Sequence, residues 1–226
     1  MKILQETTQK IEVKALAQFE VSLFSPPHPQ KVILLLHGLS ERGKRIFRKL
    51  SPYLPDDALI LAPNAPFPIA RKSELGLSYG FSWYFYDSQT GEYFLNQDMA
   101  RDWLKELLKK YNPQKLALTI IGFSQGGYLA PLVGSDHTNT ELVIGLGCEF
   151  RSTLITEKLH FPLMGLHGKD DDIVSAESSL KNFDMIKHLA SESYWEAIPE
   201  TKHEINKLMG SRVLTILETF NAKRSL

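Results

Sequence analysis

The sequence predicts an α/β fold with a mostly parallel central sheet, helices on both faces and an antiparallel strand or strands at the amino end. Three observations lead there. Short, unbroken apolar runs alternate with helix-like stretches through most of the chain, and such runs suit strands buried on both faces. The helical stretches carry apolar stripes at 3.6 spacing. The length of 226 residues, 43% hydrophobic and 23% charged, fits a single domain over 1–226.

Taken in order, the first element is a period of two over 11–23, where every odd position from Ile11 to Leu23 is apolar. Pro26, Pro27 and Pro29 end it. Buried strands are predicted at 32–36, 59–62, 116–121, 142–146, 162–166 and 194–198, with helices at 42–54, 96–111, 125–134, 175–190 and from about Glu204 to Phe220. In the second helix Asn96 can serve as the cap, and Met99, Ala100, Trp103, Leu104, Leu107, Leu108 and Tyr111 make one stripe. Between strands and helices sits an exception. Residues 67–94 hold nine aromatics without a sustained helical or strand period, and a long irregular segment so rich in aromatics reads as functional rather than disordered.

Composition narrows the function. Twenty-six basic residues balance 26 acidic ones, which leaves no cationic excess for a nucleic-acid backbone or an anionic membrane. A single cysteine excludes an intramolecular disulfide, and no Cys/His cluster has zinc spacing, so no metal site is expected. Cys148 reads as a small buried residue. No apolar run approaches the roughly 20 residues that span a bilayer, and 1–10 lacks a signal-peptide core. A cytoplasmic protein with a small-molecule partner is the expectation; its oligomeric state is not legible.

The chemistry centres on Gly122-Phe123-Ser124-Gln125-Gly126, where a buried strand runs straight into a helix. That context is a nucleophile elbow: a serine on a strained turn at the carboxyl end of the sheet, with glycines where side chains would collide with backbone. A serine needs a base and an orienting carboxylate downstream. Asp170, Asp171 and Asp172 follow the strand at 162–166 and so lie on the serine's edge of the sheet; one of the three is the orienter. Among seven histidines, His203 lies between the strand at 194–198 and the last helix, on that same edge, whereas His28, His137, His160 and His188 read as surface residues. The oxyanion requires two backbone donors, for which Leu39, in the His37-Gly38 loop after the first buried strand, and Gln125 are the candidates.

These residues, with Pro63-Asn64-Ala65-Pro66, Trp83 to Asp87 and His167-Gly168-Lys169-Asp170-Asp171-Asp172-Ile173-Val174, resemble the phospholipase/carboxylesterase family of α/β-hydrolases, which includes acyl-protein thioesterases and small carboxylesterases. The likeness runs from about residue 20 onward with the landmarks in family order. It implies the α/β-hydrolase fold, no cofactor, and a triad of Ser124, Asp171 and His203, because the family's acid stands four residues after the histidine of its His-Gly pair. It implies the same oxyanion donors, Leu39 and Gln125. Where the family has Trp-Phe-Asp, this chain has Trp83-Tyr84-Phe85-Tyr86-Asp87. The segment 67–94 is then read as an acyl-pocket wall, with Trp83 and Phe85 binding substrate. The expected activity is hydrolysis of a carboxylic ester or acyl thioester. Two rivals use the same cleft: a non-catalytic protein binding a hydrophobic ligand or partner, and a peptidase or lactonase on the same triad.

Overall fold

The computed structural model describes residues 19–74, 76–87 and 89–224. In chain order the strands are β1 (Val21–Phe24), β2 (Lys31–Leu36), β3 (Ala58–Pro63), β4 (Phe67–Ser73), β5 (Gly76–Ser82), β6 (Phe85–Asp87), β7 (Glu92–Leu95), β8 (Ala117–Phe123), β9 (Thr140–Leu146), β10 (Leu163–Gly168) and β11 (Ser193–Ile198). The helices are α1 (Gly43–Leu50), α2 (Asp98–Tyr111), α3 (Gln125–Ser135), α4 (Ala176–Ile186) and α5 (Lys207–Arg224).

Each predicted apolar run is a strand of one seven-stranded sheet, ordered β1-β3-β2-β8-β9-β10-β11. Only β1 is antiparallel, paired with β3. In β2 all residues from Val32 to Leu36 are inaccessible to water, and their alternation splits them between two cores. Val32, Leu34 and Leu36 pack with α2, α3 and α4, including Leu104, Leu129 and Phe183. Ile33 and Leu35 pack with α1 and α5, through Ile46, Leu50, Met209 and Val213. Burying both faces is why these segments read as unbroken apolar runs.

After β2 the chain pairs β3 on one side, and it later returns to pair β8 on the other. The order therefore reverses between β2 and β8, and the crevice at their carboxyl ends is where ligands bind in open α/β sheets. The loops that leave β2 and β8 carry Leu39 and Ser124.

Three predicted features come out differently, and a fourth is described only in part. The segment 67–94 is not irregular: it forms two antiparallel hairpins, β4–β5 and β6–β7. The helix expected from Asn96 has Gln97 at its cap, and Asn96 Oδ1 instead accepts from Asp98 N–H at 3.2 Å in the turn before it; Met99 is 54% exposed and stands outside the buried stripe. The last helix begins at Lys207 rather than near Glu204, because Asn206 Oδ1 caps it through Met209 N–H at 3.0 Å. Of the pattern at 11–23, residues 11–18 lie outside the described residues. Leu23 is half exposed because β1 is an edge strand. Among the described residues no helix is long and apolar enough to cross a membrane.

Candidate active site

Strand β8 ends at Phe123 and α3 begins at Gln125, so Ser124 carries the whole change of direction. Its backbone sits at φ 48°, ψ −120°, a region costly for any residue with a Cβ. The turn closes through close backbone contact: a Cβ on Gly122 would stand 2.2 Å from Gly126 O, and one on Gly126 the same distance from Leu36 O. Neighbouring ladders and helix bonds hold the strain, with Ser124 N–H on Leu146 O at 2.8 Å and Ser124 O receiving Gly127 and Tyr128 N–H.

Beside the hydroxyl lies His203, whose Nε2 is 3.0 Å from Ser124 Oγ and whose Nδ1 is 2.8 Å from Asp171 Oδ2. An ionised carboxylate only accepts, so Nδ1 carries the proton and Nε2 is left to accept from the serine. The histidine rides on a loop fixed at several points: Thr201 is fully buried, Thr201 O receives Asp170 N–H, and Asn206 Nδ2 donates to Thr201 Oγ1. The Phe123 ring lies against the imidazole, 5.0 Å between centroids.

Of the three consecutive aspartates, Asp170 and Asp172 are exposed, while the Asp171 side chain has no exposed surface. Its Oδ1 accepts from Ile173 N–H at 2.9 Å and Val174 N–H at 2.8 Å, which leaves Oδ2 for His203. The sequence reading gave no part to His167, yet its Nε2 is 3.3 Å from Asp171 Oδ2 and 2.8 Å from Val174 O. A carbonyl accepts, so His167 Nε2 bears a proton and donates it to Val174 O, with the Asp171 carboxylate close beside it.

The loop after β2 is held just as firmly. His37 is fully buried; Nδ1 donates to Gly38 O at 2.7 Å and Nε2 accepts from Ala65 N–H at 3.0 Å. Burial holds its pKa down at about 4, so the ring is neutral, as those two bonds require. Gly38 N–H bonds Glu41 Oε2, and Ser40 N–H bonds Phe81 O at 2.7 Å. No backbone hydrogen bond from Leu39 N–H or Gln125 N–H is found among the described residues.

Residues 82–84 clamp this loop to α3. The Gln125 side chain accepts from Trp83 N–H at 3.0 Å and donates to Tyr84 O at 2.8 Å. Trp83 Nε1 donates to His37 O at 2.8 Å. Trp83, expected in the acyl-pocket wall, has no exposed surface: it is a strut beneath the loop, ringed by His37 and Trp103, and presents no face to a substrate. Phe85 is half-buried against Phe67. Cys148 is buried under Gly127, and burial pushes its thiol pKa well up. Among the described residues no cluster of His, Cys, Asp and Glu is arranged to hold a metal ion.

The fold resembles solved structures over nearly its whole length. Esterase PE8 aligns with a TM-score of 0.72 at 17% identity, covering 90% of this chain and 100% of that one. Acyl-protein thioesterase 2 of Zea mays aligns at 0.67 and 19%, covering 89% and 98%. A carboxylesterase from Mesorhizobium loti aligns at 0.66 and 16%, covering 88% and 94%. At such identities these likenesses speak to the α/β-hydrolase fold. Comparison with curated protein sequences returns no match. The family profile described as serine hydrolase (FSH1) matches residues 27–207, a span that includes the elbow, Asp171, His203 and the Leu39 loop, and the chain belongs to that family.

Proposed function

We propose that this serine hydrolase cleaves carboxylic esters or acyl thioesters through a covalent acyl-enzyme, with Ser124 as nucleophile, His203 as base and Asp171 as orienter. The observation that carries the reading is the continuous hydrogen-bonded line from Asp171 Oδ2 through both nitrogens of His203 to Ser124 Oγ. The fold relatives named esterase, acyl-protein thioesterase and carboxylesterase support the substrate class.

Ser124 Oγ attacks the acyl carbon as its proton passes to His203 Nε2. The carbonyl oxygen becomes an oxyanion held by Leu39 and Gln125 N–H, donors whose individual loss costs about 3–4 kcal/mol of barrier in comparable sites. Collapse expels the alcohol or thiol, which takes the proton from His203. Water then attacks the acyl-enzyme, giving its proton to His203, and the acid leaves as Ser124 is reprotonated. Asp171 stays ionised throughout and offsets the imidazolium charge.

Intact-mass labelling with a fluorophosphonate tests this without knowledge of the substrate. One adduct on the wild-type protein, absent from S124A and strongly slowed in H203A, is the expected result. Folded wild-type protein that takes no label overturns the proposal.

A further inference from the structure

Loop 147–151 leaves β9 at the proposed triad and ends on a cation that the mechanism above does not use. A Cβ on Gly147 would stand 3.6 Å from both Asp171 Oδ2 and His203 Nδ1. Four residues on, the Arg151 guanidinium carbon lies 3.9 Å over the Tyr86 ring, 5.4 Å from that of Tyr128 and 5.8 Å from that of Tyr93. Its Nη1 donates to Tyr93 Oη at 3.0 Å. Tyr128 stands one helical turn past Ser124, its N–H on Ser124 O. Tyr86 follows the Trp83–Tyr84 stretch that Gln125 staples to α3.

Arg45, Arg101 and Arg212 each reach a carboxylate, at 2.9, 2.7 and 2.9 Å. Half-buried Arg151, like Arg42 over the Tyr79 ring, has none within 4 Å among the described residues, and the groups packed around it are tyrosines. Burying a cation without an anion is unfavourable, and ring faces offset only part of the penalty. Burial also pushes the Tyr84 and Tyr128 pKa values up, so both phenols stay neutral and keep their protons. The result is a cluster of tyrosines around a guanidinium that no carboxylate reaches, on the loop that follows β9.

We propose that Arg151, framed by Tyr86, Tyr93 and Tyr128, is an anion subsite that selects acyl substrates bearing a carboxylate, whose two oxygens match the guanidinium fork. This rests on the acyl-hydrolase reading and narrows its substrate class to half-esters or half-thioesters of dicarboxylic acids.

The test is the ratio of kcat/KM for aryl half-esters of dicarboxylic acids, four to eight carbons long, to kcat/KM for the same esters with the far carboxyl capped as a methyl ester. In wild-type protein the ratio is expected to exceed about 10 at one chain length, to fall at least tenfold in R151M, and to recover in part in R151K. A ratio near one at every length overturns the proposal, as does a ratio unchanged in R151M, since a merely structural latch would slow both esters alike. Calorimetric titration of S124A with monomethyl adipate reads the subsite without turnover, and absence of binding there that matches S124A/R151M also overturns it. Protein that labels at Ser124 and hydrolyses the capped esters without charge preference loses only the subsite; protein that does neither loses the catalytic reading.

Discussion

His37 governs more of the site than its place in a His-Gly turn suggests, because each ring nitrogen has one partner and those partners permit only the neutral form. With a pKa near 4 in the folded protein and 6.5 as its ordinary value, the ring favours folding only while unprotonated. Above pH 6.5 that contribution is complete. As pH falls from 6.5 toward 4, the unfolded chain binds a proton that the folded site refuses, so stability drops by an amount on the order of 3 kcal/mol and then levels off for this group. Denaturant unfolding of wild type and H37Q between pH 7.5 and 4.5 checks this: the wild type is expected to show the steeper loss. Equal slopes would mean that other groups set the acid limit. At this scale position alone named Ser124 and His203 but left three adjacent aspartates open, and it was the family resemblance that picked Asp171. In the structure burial sets Asp171 apart: a carboxylate with its Oδ1 on two backbone amides cannot turn toward solvent as its neighbours do.

Two hairpins occupy the segment that showed no period in the sequence, and the reason lies in how their faces are used. In β5, Leu77, Tyr79 and Phe81 alternate with Gly76, Ser78, Gly80 and Ser82, a large/small alternation rather than an apolar/polar one. Leu77 and Tyr79 are exposed, so the alternation does not mark a core. Pro68, second in β4, argues against a strand unless that strand is an edge, as it is in a two-stranded sheet. What the hairpins do is hold the loop after β2: Gly80 lies so close that a Cβ would meet Ser40 O at 2.0 Å, and Trp83 ties off His37 O. Trp83→Phe keeps most of the ring but leaves that buried carbonyl without its donor. A stability loss of about 1–3 kcal/mol is expected, together with slower ester turnover as the Leu39 amide loses its support. Thermal melts and steady-state rates on one ester report both; undiminished turnover in a destabilised protein would separate the strut from the chemistry.

For the molecule as a whole, the central strands are locked between two cores while the active-site edge is built from loops. Amides of β2, β8 and β9 are expected to exchange with deuterium slowest, near the rate of global unfolding, and those of β1 and the β4–β5 hairpin fastest. Peptide-resolved exchange under native conditions measures this directly. Slow exchange in β4–β5 would mean that the hairpin is more than a clamp.

The sequence by itself determined the central parallel strands, the helices and the elbow, because burial on both faces and a strained Gly-flanked turn are written into neighbouring residues. The aromatic segment's pairing, the fate of Trp83 and the partner of each aspartate were decided only by the tertiary structure. Ser124 and His203 are 79 residues apart and His203 and Asp171 are 32 apart. Contacts over such separations depend on how the sheet stacks its carboxyl-end loops together, and no local pattern encodes that distance.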